Sequence, residues 1–304
     1  MRSARVVVLM SSYNGERYIR NQIDSICNQQ GDFVLDIIVR DDGSSDDTIN
    51  ILEEYANQGK VRWYTGQNLK PARSFIDLIL NVCGYDYYAF SDQDDFWYQD
   101  KIQCAIDWIK GAKKPAIYFS NAEIADEKLN SLNKVLYKKQ PNTDFYTISC
   151  SAHVIGCTMV FNEELARIIR EKERPTILTM HDTFMAKVCT AVNGDVYFDG
   201  KAHIKYRQHG NNVVGFDYRI HAKVKKRFDA IFHKADVSIA DVAEEIIRIY
   251  GDLIPDKNIK WLQGIVCYKN SLFSRLLLAV STKTRYYSKN IAVTNRLSIL
   301  LGNL

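Results

Sequence analysis

The chain has 304 residues, 46% of them hydrophobic and 25% charged, ordinary globular values that exclude wholesale disorder and fibrous repeats. Forty Lys and Arg against 36 Asp and Glu give +4, too mild by itself to imply nucleic acid. The charge is unevenly spread: residues 1–217 hold 25 basic and 29 acidic groups (−4), residues 218–304 hold 15 and 7 (+8), and after Asp256 eight Lys or Arg follow without an acid. The length suits one large α/β domain, 1–217, with a basic appendage, 218–304.

Seven cysteines without CxxC or Cys/His metal spacing read as buried or free thiols of a reducing compartment. Val6–Met10 is too short for a signal peptide, and no window approaches the roughly 20 apolar residues that span a bilayer. The expectation is a cytoplasmic protein, or one resting peripherally on the inner face of the cell membrane.

In chain order, the continuous apolar run Val6–Met10 predicts a strand covered on both faces, ending in the polar turn Ser11-Ser12-Tyr13-Asn14-Gly15. Tyr18–Ile26 has helical spacing. Asp36–Val39 is a second strand that stops at Arg40-Asp41-Asp42-Gly43-Ser44-Ser45-Asp46, where Ser45 or Asp46 can cap a helix with Ile49, Leu52 and Tyr55 inward. Val61–Tyr64 is a third strand, Ser74–Asn81 a helix, and Tyr85–Phe90 a fourth strand running into Ser91-Asp92-Gln93-Asp94-Asp95. Next come a strand at Ile117–Ser120, an irregular stretch over 126–147, a strand at Val154–Phe161 broken by Gly156, and a helix over Asn162–Lys172 capped by Asn162. A helix over Met180–Val192 begins near His181-Asp182. Tyr197-Phe198 and Ala202–Tyr206 read as short strands leading to Arg207-Gln208-His209-Gly210. Strand, turn and helix at this pace indicate βαβ units, whose ligands gather outside the carboxyl ends of the strands. Ser12–Glu16, Asp41–Ser45 and Asp92–Asp95 therefore converge on one rim.

Each cluster has a chemical and a structural reading. Three carboxylates in Asp92–Asp95 repel unless a cation or strong donors compensate; the alternative is a solvated turn capping the next helix. Oxygen ligands favour Mg²⁺ or Mn²⁺, and Mg²⁺ usually also binds substrate phosphate. Asp41-Asp42-Gly43 can accept from a base imide or ribose hydroxyl, or form an Asx-type turn. Ser12, Tyr13, Asn14 and Glu16 at a helix start suit a nucleotide. Asp182 is either a general base or a carboxylate complementing a helix N-terminus. His209 is a metal ligand or a packing residue, and Arg207 can meet phosphate.

Taken together, Val7-Leu9-Met10-Ser11-Ser12-Tyr13-Asn14, then Arg40–Thr48, then Ser91-Asp92-Gln93-Asp94-Asp95-Phe96-Trp97 resemble glycosyltransferase family 2 over about residues 4–215. The resemblance implies a GT-A (Rossmann-like) fold, a mostly parallel sheet flanked by helices, and inverting transfer from a nucleotide sugar. His181-Asp182 stands where that family usually has Glu-Asp, so Asp182 inherits the role of base. Tyr206–Gly215 looks like the closing motif of bacterial rhamnosyltransferase-like members, and no Gln-x-x-Arg-Trp motif of processive synthases appears. The resemblance further implies a metal-dependent enzyme of cell-surface polysaccharide synthesis. Such an enzyme takes a dTDP-rhamnose or UDP-sugar donor and a saccharide or lipid-linked acceptor. Asp94 and His209 hold Mn²⁺ or Mg²⁺, Asp92 supports the ion or the ribose, Asp42 with Asp41 holds the base, and Trp97 and His181 contact or support the acceptor. A glycosidase is the less apt reading, since hydrolysis needs neither metal nor nucleotide rim.

In the tail, Arg219, Lys223, Lys225, Lys226 and Arg227 accompany Val224, Phe228, Ile231 and Phe232 at helical spacing, and Leu272, Phe273, Leu276, Leu277 and Val280 make a second apolar stripe. Both stripes can pack on the body, face anionic lipid or serve a homodimer. RNA binding through Tyr286 and Tyr287 lacks a recognised module, so no nucleic-acid partner is expected.

Overall fold

The computed structural model describes residues 2–210, 229, 231–233 and 235–304. Val6–Met10 lies fully buried in strand β1 (Ala4–Ser12), each side chain contributing about 1.5–3 kcal/mol. Val7 and Leu9 enter one hydrophobic core while Val6, Val8 and Met10 enter another, so both faces of the sheet are covered. Helices α1 (Ile19–Cys27), α2 (Thr48–Asn57) and α4 (Lys101–Ile109) fill one face; α3 (Lys70–Asn81), α6 (Glu163–Arg170) and α7 (His181–Ala191) fill the other.

The remaining strands are β2 (Phe33–Asp41), β3 (Arg62–Thr65), β4 (Tyr87–Ser91), β5 (Phe96–Trp97), β6 (Ala116–Ala125), β7 (Ser131–Val135), β8 (Val160–Asn162) and β9 (Asp195–Arg207). Among the described residues they form one sheet in the order β3-β2-β1-β4-β8-β6-β9-β5, with β7 paired to β6. The first four strands of that order run parallel; β8 enters antiparallel to both β4 and β6, and β6 and β9 are again parallel. The carboxyl ends of β1, β2 and β4 therefore open on one rim, where the polar clusters lie.

Several sequence expectations change. Ile51, not Ile49, joins Leu52 and Tyr55 in the core, and Asp47 occupies the cap position of α2 without a side-chain cap bond. The 126–147 stretch contains β7, whose five residues are all exposed and so carry no alternation, and the start of α5 (Phe145–Cys150), capped by Asp144. The two short strands near 197–206 are one 13-residue strand, β9, whose register with β6 shifts around Asn121. Asn162 does cap α6, accepting from the Leu165 amide. All seven cysteines are free.

Helix α8 (Ile239–Tyr250) buries Val242, Ile246, Ile249 and Tyr250 in the same core as α3, α6 and α7, and α9 (Asp256–Val266) adds Leu262 and Ile265. Buried Glu245 on α8 accepts from the Thr176 and Ile177 amides at 2.6 and 3.2 Å, which ties α8 to the segment leading into α7. Burial pushes its pKa up, but Arg248 and these amides outweigh it and bring it down to about 2. Helices α10 (Leu272–Ala279) and α11 (Lys289–Leu301) complete the chain. The basic stripe over 219–228 and the 217/218 boundary lie outside the described residues. No described helix is long and apolar enough to cross a membrane.

Candidate active site

The three rim loops are joined by side chain-to-backbone bonds. The Gln93 amide pairs with Tyr13, accepting from its N–H at 2.9 Å and donating to its carbonyl at 3.0 Å. The Asn14 amide donates to Ser44 Oγ (2.9 Å), Gly15 to Thr48 Oγ1 (2.8 Å) and Glu16 to Asp46 (3.1 Å); in return Asp47 N–H donates to Glu16 (2.9 Å). A Cβ on Gly15 would meet Gln93 Oε1 at 2.2 Å, so glycine lets that bridge form.

Behind these loops is a cleft of about 510 Å³ lined by Tyr13, Asn14, Asp42, Asp92, Asp94, His181, Asp182 and His209 among others. Eight of the thirteen residues expected at the site thus share one cavity. Ser12, Glu16, Asp41, Arg207 and Trp97 do not line it. Asp41 is fully buried and accepts from the Gly43 and Ser44 amides at 2.9 Å and from Ser12 Oγ at 3.1 Å, which uses both side chains to shape the turn. Gly43, at φ 78°, supplies the left-handed residue this turn needs. Glu16 is spent on stapling loops. Asp42 points the other way from Asp41: Arg40 pairs with it, and it accepts from the Leu69 amide at 3.2 Å.

At the end of β4, Asp94 Oδ2 meets His209 Nε2 at 2.7 Å, and the His209 ring stacks on Tyr18 with centroids 4.8 Å apart. Arg207, expected at phosphate, instead clamps the acidic loop. Its amide donates to Asp95 (3.1 Å), its Nε to the Asp94 carbonyl (2.6 Å) and its Nη1 to the Glu127 carbonyl (2.5 Å). Burial, with like charge from Asp94, raises the pKa values of both Asp92 and Asp95. Lys101 lies fully buried near Asp95, its ammonium 3.8 Å from the Trp97 ring centroid, and burial brings its pKa down to about 7. Trp97 is therefore a core residue supporting the loop from below.

Ligand atoms of Asp92, Asp95 and Cys157 also lie within 4.8 Å of one another. Burial holds the Cys157 thiol pKa well above its usual value, so a neutral thiol sits beside the two carboxyl groups in this polar knot. Asp94 and His209, by contrast, line the cleft bonded to each other, and the Asp94 carboxylate is the ligand type that suits Mn²⁺ or Mg²⁺.

Across the cleft, Asp182 opens α7, where the helix dipole favours a carboxylate. One oxygen accepts from the Gly156 amide at 2.8 Å and the other from Thr183 at 2.6 Å. His181 is 3% exposed, stacked on Phe75 at 4.0 Å and edge-on to Phe90 at 4.8 Å. Burial lowers its pKa to about 4, so the imidazole is neutral at pH 7. A Cβ at Gly156 would meet His181 Nε2 at 2.4 Å. The break that Gly156 makes before β8 is thus a fitted contact with the His-Asp pair.

The sequence reading missed Tyr18, Phe75, Gly156 and Lys70. Lys70 lines the cleft at the start of α3 with φ 66°, a left-handed conformation costly for a side-chain-bearing residue, more so before Pro71. The sequence spacing starts this helix at Ser74, whereas it begins at Lys70, so nothing in the sequence pattern marked this cation at the rim.

A sheet of this topology, with acidic loops at the ends of its parallel strands, has the GT-A arrangement. The Staphylococcus aureus TarS 1–349 structure is similar (TM-score 0.55, 14% identity, 98% of this chain and 90% of that one). So is mannosyltransferase PcManGT from Pyrobaculum calidifontis in complex with GDP-Man and Mn²⁺ (TM-score 0.50, 17% identity, 99% and 86%). These likenesses show the fold.

Two sequence matches go further. The family model "Glycosyl transferase family 2" matches residues 7–168. The chain is also 33% identical over 238 residues to dTDP-rhamnosyl transferase RfbG of Shigella flexneri, covering 71% of this chain and 77% of that protein. The chain belongs to glycosyltransferase family 2.

Proposed function

We propose that this glycosyltransferase moves rhamnose from dTDP-rhamnose, with inversion and the help of Mn²⁺ or Mg²⁺, to a saccharide or lipid-linked acceptor in bacterial cell-surface polysaccharide synthesis. The observation that carries the reading is the meeting of Asp182 with Asp94 and His209 in one cleft. Likeness to a dTDP-rhamnosyl transferase supports the donor sugar. A UDP-hexose is the second reading, supported by the similar fold of TarS in complex with UDP-GlcNAc. Residues 1–217 bind both substrates, and residues 218–304 serve contacts outside the reaction.

In the reaction, Asp182 takes the proton of an acceptor hydroxyl, whose oxygen bonds to the anomeric carbon. The bond from that carbon to the diphosphate oxygen breaks on the opposite face, and the diphosphate leaves with the electron pair. Asp42, and Tyr13 and Asn14 beside it, hold the nucleoside. Asp94 and His209, with Asp92 behind them, would hold a divalent cation, which as a Lewis acid neutralises the leaving diphosphate. Neutral His181, packed on Phe75 and Phe90, supports the acceptor side of the cleft.

Incubation with dTDP-rhamnose, UDP-glucose and UDP-GlcNAc in turn, reading nucleoside diphosphate release with and without Mn²⁺, tests the proposal. Release from dTDP-rhamnose is expected to be fastest and Mn²⁺-dependent; faster release from a UDP-sugar would transfer the assignment to the second reading. Lys70, a cation in this cleft, is assigned to the diphosphate. Lys70→Gly is expected to raise stability by about 1 kcal/mol through relief of the left-handed strain. The same change should raise the donor KM about tenfold through loss of a charged contact. Thermal melting and donor titration should move in these opposite senses; an unchanged KM would remove Lys70 from the donor site.

A further inference from the structure

Helix α10 and the Val280 that caps it present Leu272, Phe273, Leu276, Leu277 and Val280 to solvent, with exposures of 76%, 69%, 49%, 56% and 59%. Their spacing of i, i+1, i+4, i+5 and i+8 puts them on one face, while only Leu278 and Ala279 of this helix are buried. The adjoining helix α11 exposes Val293, Leu297, Leu300 and Leu301 by the same logic. The two helices meet where the Arg275 guanidinium packs against Gly302 and reaches the Leu300 carbonyl at 3.5 Å. The second apolar stripe therefore does not pack on the catalytic body. Nine large apolar side chains outside any core of the described residues exceed the scatter of single exposed hydrophobics normal on a soluble surface.

Charge decides the occupant. From Lys257 to the end of the chain there are eight Lys or Arg and no Asp or Glu. Lys289 and Arg296 lie on the same stripe of α11 as Val293 and Leu300, and both are exposed. A second copy of this acid-free surface would set cation against cation. Leu, Val and one Phe offer no series of stacking platforms for nucleic-acid bases. An anionic bilayer matches both properties, taking the apolar side chains below the headgroups and the cations among the phosphates.

We propose that the α10–α11 face is a monotopic membrane-docking surface that binds anionic lipid, the Leu and Phe side chains of α10 entering the bilayer interface. This goes beyond the transfer reaction and is tested without it. The full chain is floated with vesicles of phosphatidylcholine containing about 30 mol% phosphatidylglycerol, and with phosphatidylcholine alone. The variant carries Leu272→Ser, Phe273→Ser, Leu276→Gln and Leu277→Gln, all at exposed positions, and circular dichroism with thermal melting verifies its fold. The wild-type chain is expected to float with the anionic vesicles and at least tenfold less with neutral ones. The variant should lose at least tenfold on the anionic vesicles, and salt near 1 M, where the Debye length is about 3 Å, should weaken binding. Equal flotation of the folded variant, equal flotation on neutral vesicles, or none by the wild type would overturn the proposal. So would a dimer in sedimentation velocity that forms without lipid and is dissolved by the same four substitutions, which would give the face to a second copy.

Discussion

Asp182→Asn is expected to lower kcat by a factor on the order of 10²–10⁴, the range a positioned general base supplies. Nucleoside diphosphate affinity should stay within about twofold, because the residues proposed to hold nucleoside and diphosphate are others, across the cleft. A stability loss of about 1–3 kcal/mol should accompany it. Asp182 accepts one amide on each oxygen, from Gly156 and Thr183. Asparagine must turn an NH₂ toward one of those donors and leave it unsatisfied. Single-turnover kinetics with a saturating donor, beside calorimetric titration of the nucleotide, separate the two effects. A variant with kcat within tenfold of wild type would show that another group takes the acceptor proton.

Asp94→Ala should be the second severe loss, falling on the metal rather than the proton. Without that carboxylate, of the proposed metal-holding groups only Asp92 and His209, just past β9, still line the cleft, and Mn²⁺ affinity is expected to drop by at least about 100-fold. Transfer should fall on the order of 10²–10³ through loss of several kcal/mol of charge neutralisation on the leaving diphosphate. Removing one carboxylate from the crowded Asp92–Asp95 loop also relieves repulsion, so the melting temperature should hold or rise slightly. Mn²⁺ titration followed by water-proton relaxation checks the first claim and a transfer assay at saturating Mn²⁺ the second. Undiminished Mn²⁺ binding would move the ion elsewhere, the Asp92–Asp95–Cys157 knot being the next place to look.

The parallel core was legible because buried strands carry an unmistakable signal: Val6–Met10 is uniformly apolar and uniformly buried, and β1, β2 and β4 end in the clusters that become the rim loops. Which member of a cluster reaches the cleft was not legible. Asp41 and Asp42 are neighbours of identical chemistry, yet Asp41 is the last residue of β2 and is consumed by loop amides, while Asp42, just past the strand, lines the cavity paired with Arg40. Arg207 has the same ambiguity. Its charge suits phosphate, but two backbone carbonyls and the Asp95 carboxylate, all fixed by the fold, accept from its guanidinium and amide. Gly156 marked itself as a break in a strand, but its service to Asp182 and His181 depends on a contact between segments far apart in the chain. Strand β7 left no trace because nothing in it is buried.

The bonds between Tyr13 and Gln93, Asn14 and Ser44, Gly15 and Thr48, and Glu16 and Asp47 have an outcome for redesign. Each loop supplies a partner that another requires, so the three behave as one transplantable cassette. A loop taken singly from a relative with another donor preference would strand amide groups in its neighbours, and a change of nucleotide therefore calls for exchanging all three together.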